Sequence, residues 1–298
     1  MYKRVLQEGA EYLSQLSGHT FNVLEVKPPA SSQAAINLAN TISKLSPLVG
    51  NLIEFATCDF LNQNSNYKQF GSWIRQDPGF PDTLFVGNIV PNPGFEIKAW
   101  FPLSTEITAR FKDSQTYFLQ DQTYVVLMAW LPEYIIFGAP RIIDIACISA
   151  ASIADYRDNH YNRPPDYIVL EPEDTTRRTI NLQQTNMNGY KFQGTDRQYA
   201  EAEALVRNWE LGDHRYDSSK SYQDLLRTLM RNYPYRLDTN FAKIDRIAHP
   251  EIEAFKTRVM STTIHGRTIS NWQRILSRGT DDQIIQALTE SFGLVFPR

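Results

Sequence analysis

Histidine and cysteine, the side chains that most often hold zinc, are scarce and scattered in this sequence. Its 298 residues include five histidines and two cysteines, and no CxxC or HExxH motif occurs. None of the histidines stands at metal-ligand spacing from another, so a zinc site has little support. Cys58 and Cys147 both lie in apolar segments, which predicts two reduced, buried thiols rather than a disulfide.

Long hydrophobic runs are also missing. No stretch reaches the roughly 20 apolar residues that a membrane helix needs. The longest candidate, residues 124–136, is interrupted by Pro132 and Glu133. The N-terminal residues 1–13 lack the apolar core of a signal peptide. The sequence therefore predicts a cytoplasmic protein with no membrane partner.

The sequence also lacks a strong positive net charge. The formal net charge is −3 at pH 7, which argues mildly against a non-specific nucleic-acid binder, since such proteins are usually basic. A sequence-specific binder is still compatible with this charge, because it can gather its cations in one cleft. The candidates for such a cleft lie in the middle of the chain: Arg75, Arg110, Lys112, Arg177, Arg178, Lys191 and Arg197.

What the sequence does contain is the composition of a globular chain, with 42% hydrophobic and 21% charged residues. Its apolar segments alternate between helical and strand periodicity. Strands are predicted at 83–87, 94–100, 123–130, 142–148 and 166–172, with a loop at 71–81. Helices are predicted at 31–45, 48–62, 104–119, 152–161, 196–211, 221–233, 250–260 and 281–292, with Pro47 separating the first two.

This order of elements predicts an α/β fold with a mixed central β-sheet flanked by helices, followed by a mainly helical C-terminal part. Residues 211–220 are the best candidate for a boundary, because they combine Gly, Asp, His and Ser between two helical segments. The chain would then divide into residues 1–210 and 211–298. A single domain whose C-terminal helices wrap the sheet is equally compatible with the pattern.

The most informative segment is residues 81–100. Asp82 opens the first strand of a predicted hairpin, and Glu96 and Lys98 stand two apart on the second strand. Strand alternation puts Glu96 and Lys98 on one face, and the hairpin brings Asp82 toward them. A surface hairpin with a cross-strand ion pair would produce the same pattern. The rest of the second strand is apolar, however, and charges on a buried strand are costly unless they have a function.

Two carboxylates and one ammonium on a patch of sheet suit phosphoryl chemistry. Hard carboxylate oxygens and waters are the ligands that Mg²⁺ prefers. Asp82 and Glu96 are therefore the candidate metal ligands, with the main-chain carbonyl of Ile97 as a third. The ammonium of Lys98 would lower the pKa of an attacking water and offset the charge that builds on phosphorus.

The residues Pro81-Asp82 and Glu96-Ile97-Lys98 resemble the signature of the PD-(D/E)XK nuclease superfamily. In that signature Pro-Asp is followed by a hairpin and then by Asp or Glu, any residue, and Lys. The family core is a helix, three antiparallel strands, a helix and a strand, and the order predicted for residues 45–172 resembles it. Many members carry a glutamate on the helix before the hairpin, and the segment from Gly50 to Glu54 is similar to that element.

The resemblance implies that Asp82 and Glu96 hold Mg²⁺, that Lys98 is the catalytic lysine and that Glu54 is an accessory acid. The chain size and the lack of fused domains are most similar to type II restriction endonucleases. This implies a sequence-specific endonuclease of double-stranded DNA in the prokaryotic cytoplasm. It also implies a homodimer on a nearly palindromic site, with a cognate DNA methyltransferase in the same system.

Polar residues concentrate in segment 173–197, where Arg, Gln, Asn and Thr outnumber aliphatic side chains. Arg reads guanine, and Asn or Gln reads adenine, through paired hydrogen bonds in the major groove. An ordinary polar surface loop would have the same composition. The predicted helix 104–119 follows the catalytic strand and would line the same cleft. The candidate DNA contacts are Arg110, Lys112, Gln115, Arg177, Arg178, Gln183, Gln184, Asn186 and Asn188.

Three other functions are compatible with the sequence. A repair, recombination or structure-selective nuclease would share the active site but would not cut long DNA into discrete bands. A non-catalytic DNA-binding or scaffold protein could keep the fold, but retention of Asp82, Glu96 and Lys98 argues against it. A hydrolase of small phosphoesters is disfavoured by the polar segment 173–197 and by the absence of clustered histidines.

Overall fold

A mixed five-stranded sheet forms the centre of the protein in a computed structural model, which describes residues 1–76, 79–103, 118, 120–161, 164–170, 188–209, 219–238 and 249–294. Its strands lie in chain order across the sheet. They are β1 (Gly71–Arg75), β2 (Thr83–Gly87), β3 (Gly94–Trp100), β4 (Thr123–Pro132) and β5 (Pro140–Ser149). Neighbouring strands are antiparallel except β3 and β4, which are parallel and therefore need a crossover between them.

Helices flank this sheet and make up most of the described C-terminal part. They are α1 (Tyr2–Ser14), α2 (Ser32–Thr41), α3 (Ser46–Asn64), α4 (Ala150–Tyr161), α5 (Asp196–Arg207), α6 (Lys220–Asn232), α7 (Pro250–Ser261), α8 (Ile269–Arg278) and α9 (Asp281–Phe292). Two smaller antiparallel sheets contain β6 (Tyr167–Leu170), β7 (Asn188–Phe192) and β8 (Tyr235–Asp238), and β9 (Thr263–Ile264) and β10 (Arg267–Thr268). In the described part of the chain, no helix has the length and apolar character to cross a membrane.

One face of the central sheet is covered by α1 and α3. A Cβ at Gly9 of α1 would lie 2.7 Å from the ring of Phe95, so only glycine lets α1 approach β3 this closely. A Cβ at Gly50 of α3 would lie 3.7 Å from the Cβ of Ala99. Because side chains alternate along a strand, Phe95, Ile97 and Ala99 all point toward these two helices.

The opposite face of the sheet is covered by α7. Trp100 of β3 packs on Phe255 of α7, with 6.0 Å between the ring centroids. Arg258 of α7 donates from Nε to Asp144 Oδ2 of β5 at 3.0 Å. This is the face to which alternation assigns Glu96 and Lys98. With helices on both faces and strands on both sides, β4 is buried along almost its whole length.

The predicted α/β class, with a mixed central sheet and C-terminal helices, is confirmed. The two strands of the candidate hairpin have the predicted bounds, 83–87 and 94–100. Helix α2 begins where a Ser cap was expected, since the side chain of Ser31 accepts from the backbone N–H of Ala34. The division into residues 1–210 and 211–298 stays a prediction.

The loop predicted at 71–81 is wrong over its first half, because Gly71–Arg75 forms β1 at the edge of the sheet. An edge strand buries little, and here only Trp73 is buried, so the apolar signal is too weak to reveal a strand. Pro47 was expected to separate two helices, but it lies in the first turn of α3, where the missing N–H costs nothing.

The strand expected at 166–172 exists as β6, but it belongs to the separate sheet with β7 and β8 rather than to the central one. Part of the polar segment 173–197 forms β7, which a simple surface loop would not. Helices α1 and α8 were not predicted. The predicted helix 104–119 lies outside the described residues, apart from Phe118.

Candidate active site

Asp82 and Glu96 face each other at the point where the β2–β3 pairing ends. The paired residues are Thr83 with Phe95 and Leu84 with Gly94, so the next step of the register brings Asp82 opposite Glu96. Beyond this point β3 continues to Trp100 beside β4 alone. The end of the shorter strand thus leaves a notch in the sheet, hereafter the β2–β3 notch, that is lined by β3 from Glu96 to Lys98.

The two carboxylates are each fixed by the backbone of the opposite strand. Asp82 Oδ2 accepts from the backbone N–H of Ile97 at 2.8 Å. In return, the backbone N–H of Asp82 donates to Glu96 Oε2 at 3.2 Å. This reciprocal pair replaces the ladder bonds that β2 no longer supplies. It also holds both carboxyl groups at one place through main-chain donors.

Lys98 joins the two carboxylates. Its ammonium donates a very short hydrogen bond to Glu96 Oε1 and lies 3.7 Å from Asp82 Oδ2. The structure therefore brings together the three residues that the sequence motif singled out. The same-face placement of Glu96 and Lys98, which strand alternation predicted, holds in the structure.

Glu54 and Arg75 reach the β2–β3 notch from the side of α3 and β1. Arg75 Nη2 lies 3.4 Å from Glu54 Oε2, and the guanidinium also sits over the ring of Phe55 at 4.2 Å. Glu54 is close enough to Asp82 and Lys98 for both charges to affect its pKa. Sequence reasoning assigned Glu54 correctly to the vicinity of the site. The contact between Arg75 and Glu54 is not predicted, because the sequence indicates a loop at 71–81 where the structure has β1.

Burial shapes the ionisation of this cluster. Burial raises the pKa of Glu96 to about 7, which the ammonium of Lys98 only partly offsets. Burial, and after it the charge of Asp82, raises the pKa of Glu54 to about 7. Burial alone would lower the pKa of Lys98, but the carboxylates of Glu96 and Asp82 outweigh it and raise that pKa. The ammonium is therefore charged at neutral pH, while the two glutamates are each only partly ionised.

The charges in the cluster do not balance when every group is ionised. Among the described residues, three carboxylates, from Glu54, Asp82 and Glu96, face two cations, from Arg75 and Lys98. One negative charge is left over in a site where Glu96 is only 3% exposed. A buried unpaired charge is expensive, and a divalent cation is the species that would remove this cost most directly.

The donor set fits a small, hard cation. Asp82 and Glu96 offer carboxylate oxygens, and strand geometry adds the main-chain carbonyl of Ile97. In a β-strand the N–H and C=O of one residue point to the same neighbour, and the N–H of Ile97 points at Asp82. Its carbonyl consequently opens toward the same notch. Within the described residues no group of three or more His, Cys, Asp or Glu side chains is arranged to hold a metal, so waters would complete the coordination.

The candidate DNA contacts are not brought to this site by the described structure. Arg110, Lys112, Gln115, Arg177, Arg178, Gln183, Gln184 and Asn186 lie outside the described residues. Asn188 is the first residue of β7, and its side chain lies outside the described part. Their role in DNA binding stays a prediction. Comparison with family models, curated proteins and solved structures found no match.

Proposed function

We propose that the protein is a Mg²⁺-dependent endonuclease of double-stranded DNA whose active site is the β2–β3 notch. The observation that carries the proposal is the convergence of Asp82, Glu96 and Lys98 on one buried patch of sheet. A structural ion pair would need one acid and one base. The described residues of the notch include more acids than bases instead, as expected of a group of side chains that binds a metal ion and a phosphodiester.

Asp82, Glu96 and the carbonyl of Ile97 would hold the metal. Bound there, Mg²⁺ would polarise the scissile phosphate and activate a water for in-line attack. The chain's own contribution is to fix both carboxylates through backbone hydrogen bonds of 2.8 and 3.2 Å, so that little reorganisation is needed. A bound cation would compete with Lys98 for these carboxylate oxygens.

Lys98 acts as a cation rather than as a general base. In the metal-free protein the carboxylates of Glu96 and Asp82 raise the pKa of Lys98, so the amine is protonated at neutral pH and has no free lone pair to accept a proton. Its charge instead lies where it can stabilise a hydroxide nucleophile and the negative charge that grows on the phosphoryl oxygens. The flexible four-carbon stem lets the ammonium move from the carboxylates to the phosphate without moving β3.

Glu54 is a positioning residue in this scheme. It holds Arg75 at 3.4 Å and adds negative charge next to Asp82. Because its pKa is about 7, it can also take up a proton near neutral pH. Through Arg75, Glu54 links the edge strand β1 to the site.

The order of elements also supports a nuclease of the PD-(D/E)XK type. Helix α3 precedes the antiparallel strands β1, β2 and β3, and β4 then lies parallel to β3. We further propose the type II restriction class, with a homodimer cutting both strands of a nearly palindromic site. A cognate methyltransferase would protect the host DNA. The assignment to the restriction class rests on the resemblance of Pro81-Asp82 and Glu96-Ile97-Lys98 to the nuclease signature.

The test is incubation of long duplex DNA with the protein and Mg²⁺, followed by sequencing of the new ends. Discrete bands whose ends share one sequence are expected. Cutting at unrelated sequences would keep the nuclease and remove the restriction assignment. An Asp82→Asn preparation, purified in the same way, is the control for contaminating nucleases. Absence of cutting in every tested divalent cation would contradict the proposal.

A further inference from the structure

Helix α8 presents an unusually polar surface next to the end of the catalytic strand. Its inner face is anchored by Ile269 and Trp272, which are fully buried, and Trp272 donates from Nε1 to the carbonyl of Ile264 at 3.0 Å. The hydroxyl of Thr268 caps its first turn. Ile275 and Leu276 are half-buried, and the other positions are exposed or half-buried polar residues: Ser270, Asn271, Gln273, Arg274, Ser277 and Arg278.

Two arginines on this surface carry uncompensated charge. Among the described residues, no carboxylate lies within 4.0 Å of the guanidinium of Arg274 or Arg278. Arg274 is steadied by a hydrogen bond of 3.2 Å from Nη2 to Asn271 Oδ1. Arg267, in contrast, forms an ion pair in which its Nη2 lies 2.5 Å from Glu290 Oε2. In a chain of net charge −3, two free guanidiniums on one helix face are a local positive surface.

Open grooves run along both sides of α8, and Arg274 and Arg278 line both of them. One groove, of about 710 Å³, lies on the side of Leu103 and Asn271. The other, of about 610 Å³, lies between α8 and α9. Among the described residues, the arginine pair thus forms a ridge between two grooves, and a long polyanion could lie across it.

The polar face of α8 lies close to the β2–β3 notch. Gln273 donates from Nε2 to the carbonyl of Pro102 at 3.1 Å, and Pro102 follows β3 by two residues. Three residues separate Lys98 from Pro102, and even a fully extended chain of that length would span at most about 13 Å. That distance corresponds to roughly four base-pair steps of 3.4 Å along the axis of a duplex. A duplex held at the notch would therefore reach α8.

We infer that the polar face of α8 binds the phosphate backbone of duplex DNA, with Arg274 and Arg278 as its two phosphate contacts. Residues four apart lie on one face of a helix, about 6 Å apart along its axis, so the two guanidiniums can contact the same sugar–phosphate backbone. The inference rests on the proposed nuclease function and adds a DNA contact outside the catalytic strands. The guanidinium groups can form charge-assisted hydrogen bonds with phosphate oxygens, and their neutral Ser, Asn and Gln neighbours can donate further hydrogen bonds to the same backbone.

The test is the salt dependence of binding to a labelled 30-base-pair duplex of mixed sequence. All proteins carry Asp82→Asn, so that cleavage does not interfere, and are compared between 50 and 200 mM salt. The test variant is Arg274→Gln/Arg278→Gln. The control is Arg207→Gln/Arg231→Gln, which removes the same charge from two exposed arginines on α5 and α6. Thermal melts verify that every variant is folded.

Loss of two phosphate contacts should lower the slope of log K against log salt by about 1.8. The affinity deficit of the α8 variant is then about tenfold larger at 50 mM than at 200 mM salt, whereas the control keeps the parental slope. Equal slopes for the α8 variant and the control would overturn the inference while leaving the nuclease proposal intact. A parent protein that binds no duplex at either salt would overturn both.

Discussion

The β2–β3 notch and the polar face of α8 both carry charged side chains, but they do so in opposite ways. In the notch the charges are buried, touch one another and include more acids than bases. On α8 the charges are exposed and all positive, and no described carboxylate lies within 4.0 Å of them. Buried charges cost folding free energy, whereas exposed ones cost almost nothing. The notch therefore points to chemistry at a metal-bound phosphate, and the helix points to attraction of a polyanion.

The largest expected effect comes from removing one carboxylate of the notch. Asp82→Asn or Glu96→Gln should reduce cleavage of duplex DNA by at least about 10³-fold, near the upper range for one electrostatic group of an active site. Binding to the same duplex in the absence of Mg²⁺ should persist or tighten, since less negative charge faces the phosphates. Cleavage assays run beside binding assays make the measurement. Near wild-type cutting by either variant would place the active site elsewhere.

Replacing the lysine should have the next largest effect. Lys98→Ala is expected to lose about 10²–10³-fold in single-turnover cleavage, because the cation beside the nucleophile is gone. Lys98→Gln should not rescue it, since the amide keeps the length but not the charge. Mg²⁺ affinity should be retained or increased in both variants, because a competing cation has left the notch. Undiminished turnover of Lys98→Ala at neutral pH would remove the lysine from the mechanism.

Stability against pH separates the buried charges from the exposed ones. A raised acid pKa means that the folded state favours the protonated form, so the stability of the metal-free protein falls as the pH rises from the ordinary glutamate pKa of 4.5 to about 7 and stays lower above that. Glu96→Gln should therefore stabilise the metal-free protein at pH 8, by up to about 3 kcal/mol. At pH 5 Glu96 is already neutral, and the substitution should have little effect. Denaturant unfolding at both pH values measures the difference, and equal effects at pH 5 and pH 8 would contradict the burial argument.

The smallest effect is expected from an exposed pair beside α8. Glu290→Gln removes the partner of Arg267, and the half-exposed pair contributes at most about 1 kcal/mol to the free energy of unfolding. Because Arg267 is then freed beside the groove, the variant should bind duplex DNA slightly more tightly at low salt. Melting and binding measurements on one preparation check both statements. A large decrease in the free energy of unfolding would show that this ion pair behaves like the buried charges of the β2–β3 notch.

The contrast also explains how much could be predicted from the sequence. Glu96 and Lys98 can be predicted as site residues from the sequence, because two charges, two residues apart, interrupt an apolar strand. The local sequence pattern also determines the hairpin and its register. Arg75 was missed because β1 is an edge strand with one buried residue. Helix α8 was missed as well, although Thr268, Ile269 and Trp272 carry its cap and its buried stripe. No local pattern reveals that Gln273 reaches Pro102 across the fold.

The most direct test of the central claim is a calorimetric titration of the protein with Mg²⁺ in buffers of different ionisation enthalpy. If the β2–β3 notch is the metal site, binding at pH 7 should release protons, about half of one for each carboxyl with a pKa of about 7 that the cation deprotonates. Proton release should vanish at pH 9, and Asp82→Asn should lose the binding heat. Undiminished Mg²⁺ binding by Asp82→Asn, or no Mg²⁺ binding by the wild-type protein, would contradict the assignment of this notch as the catalytic centre.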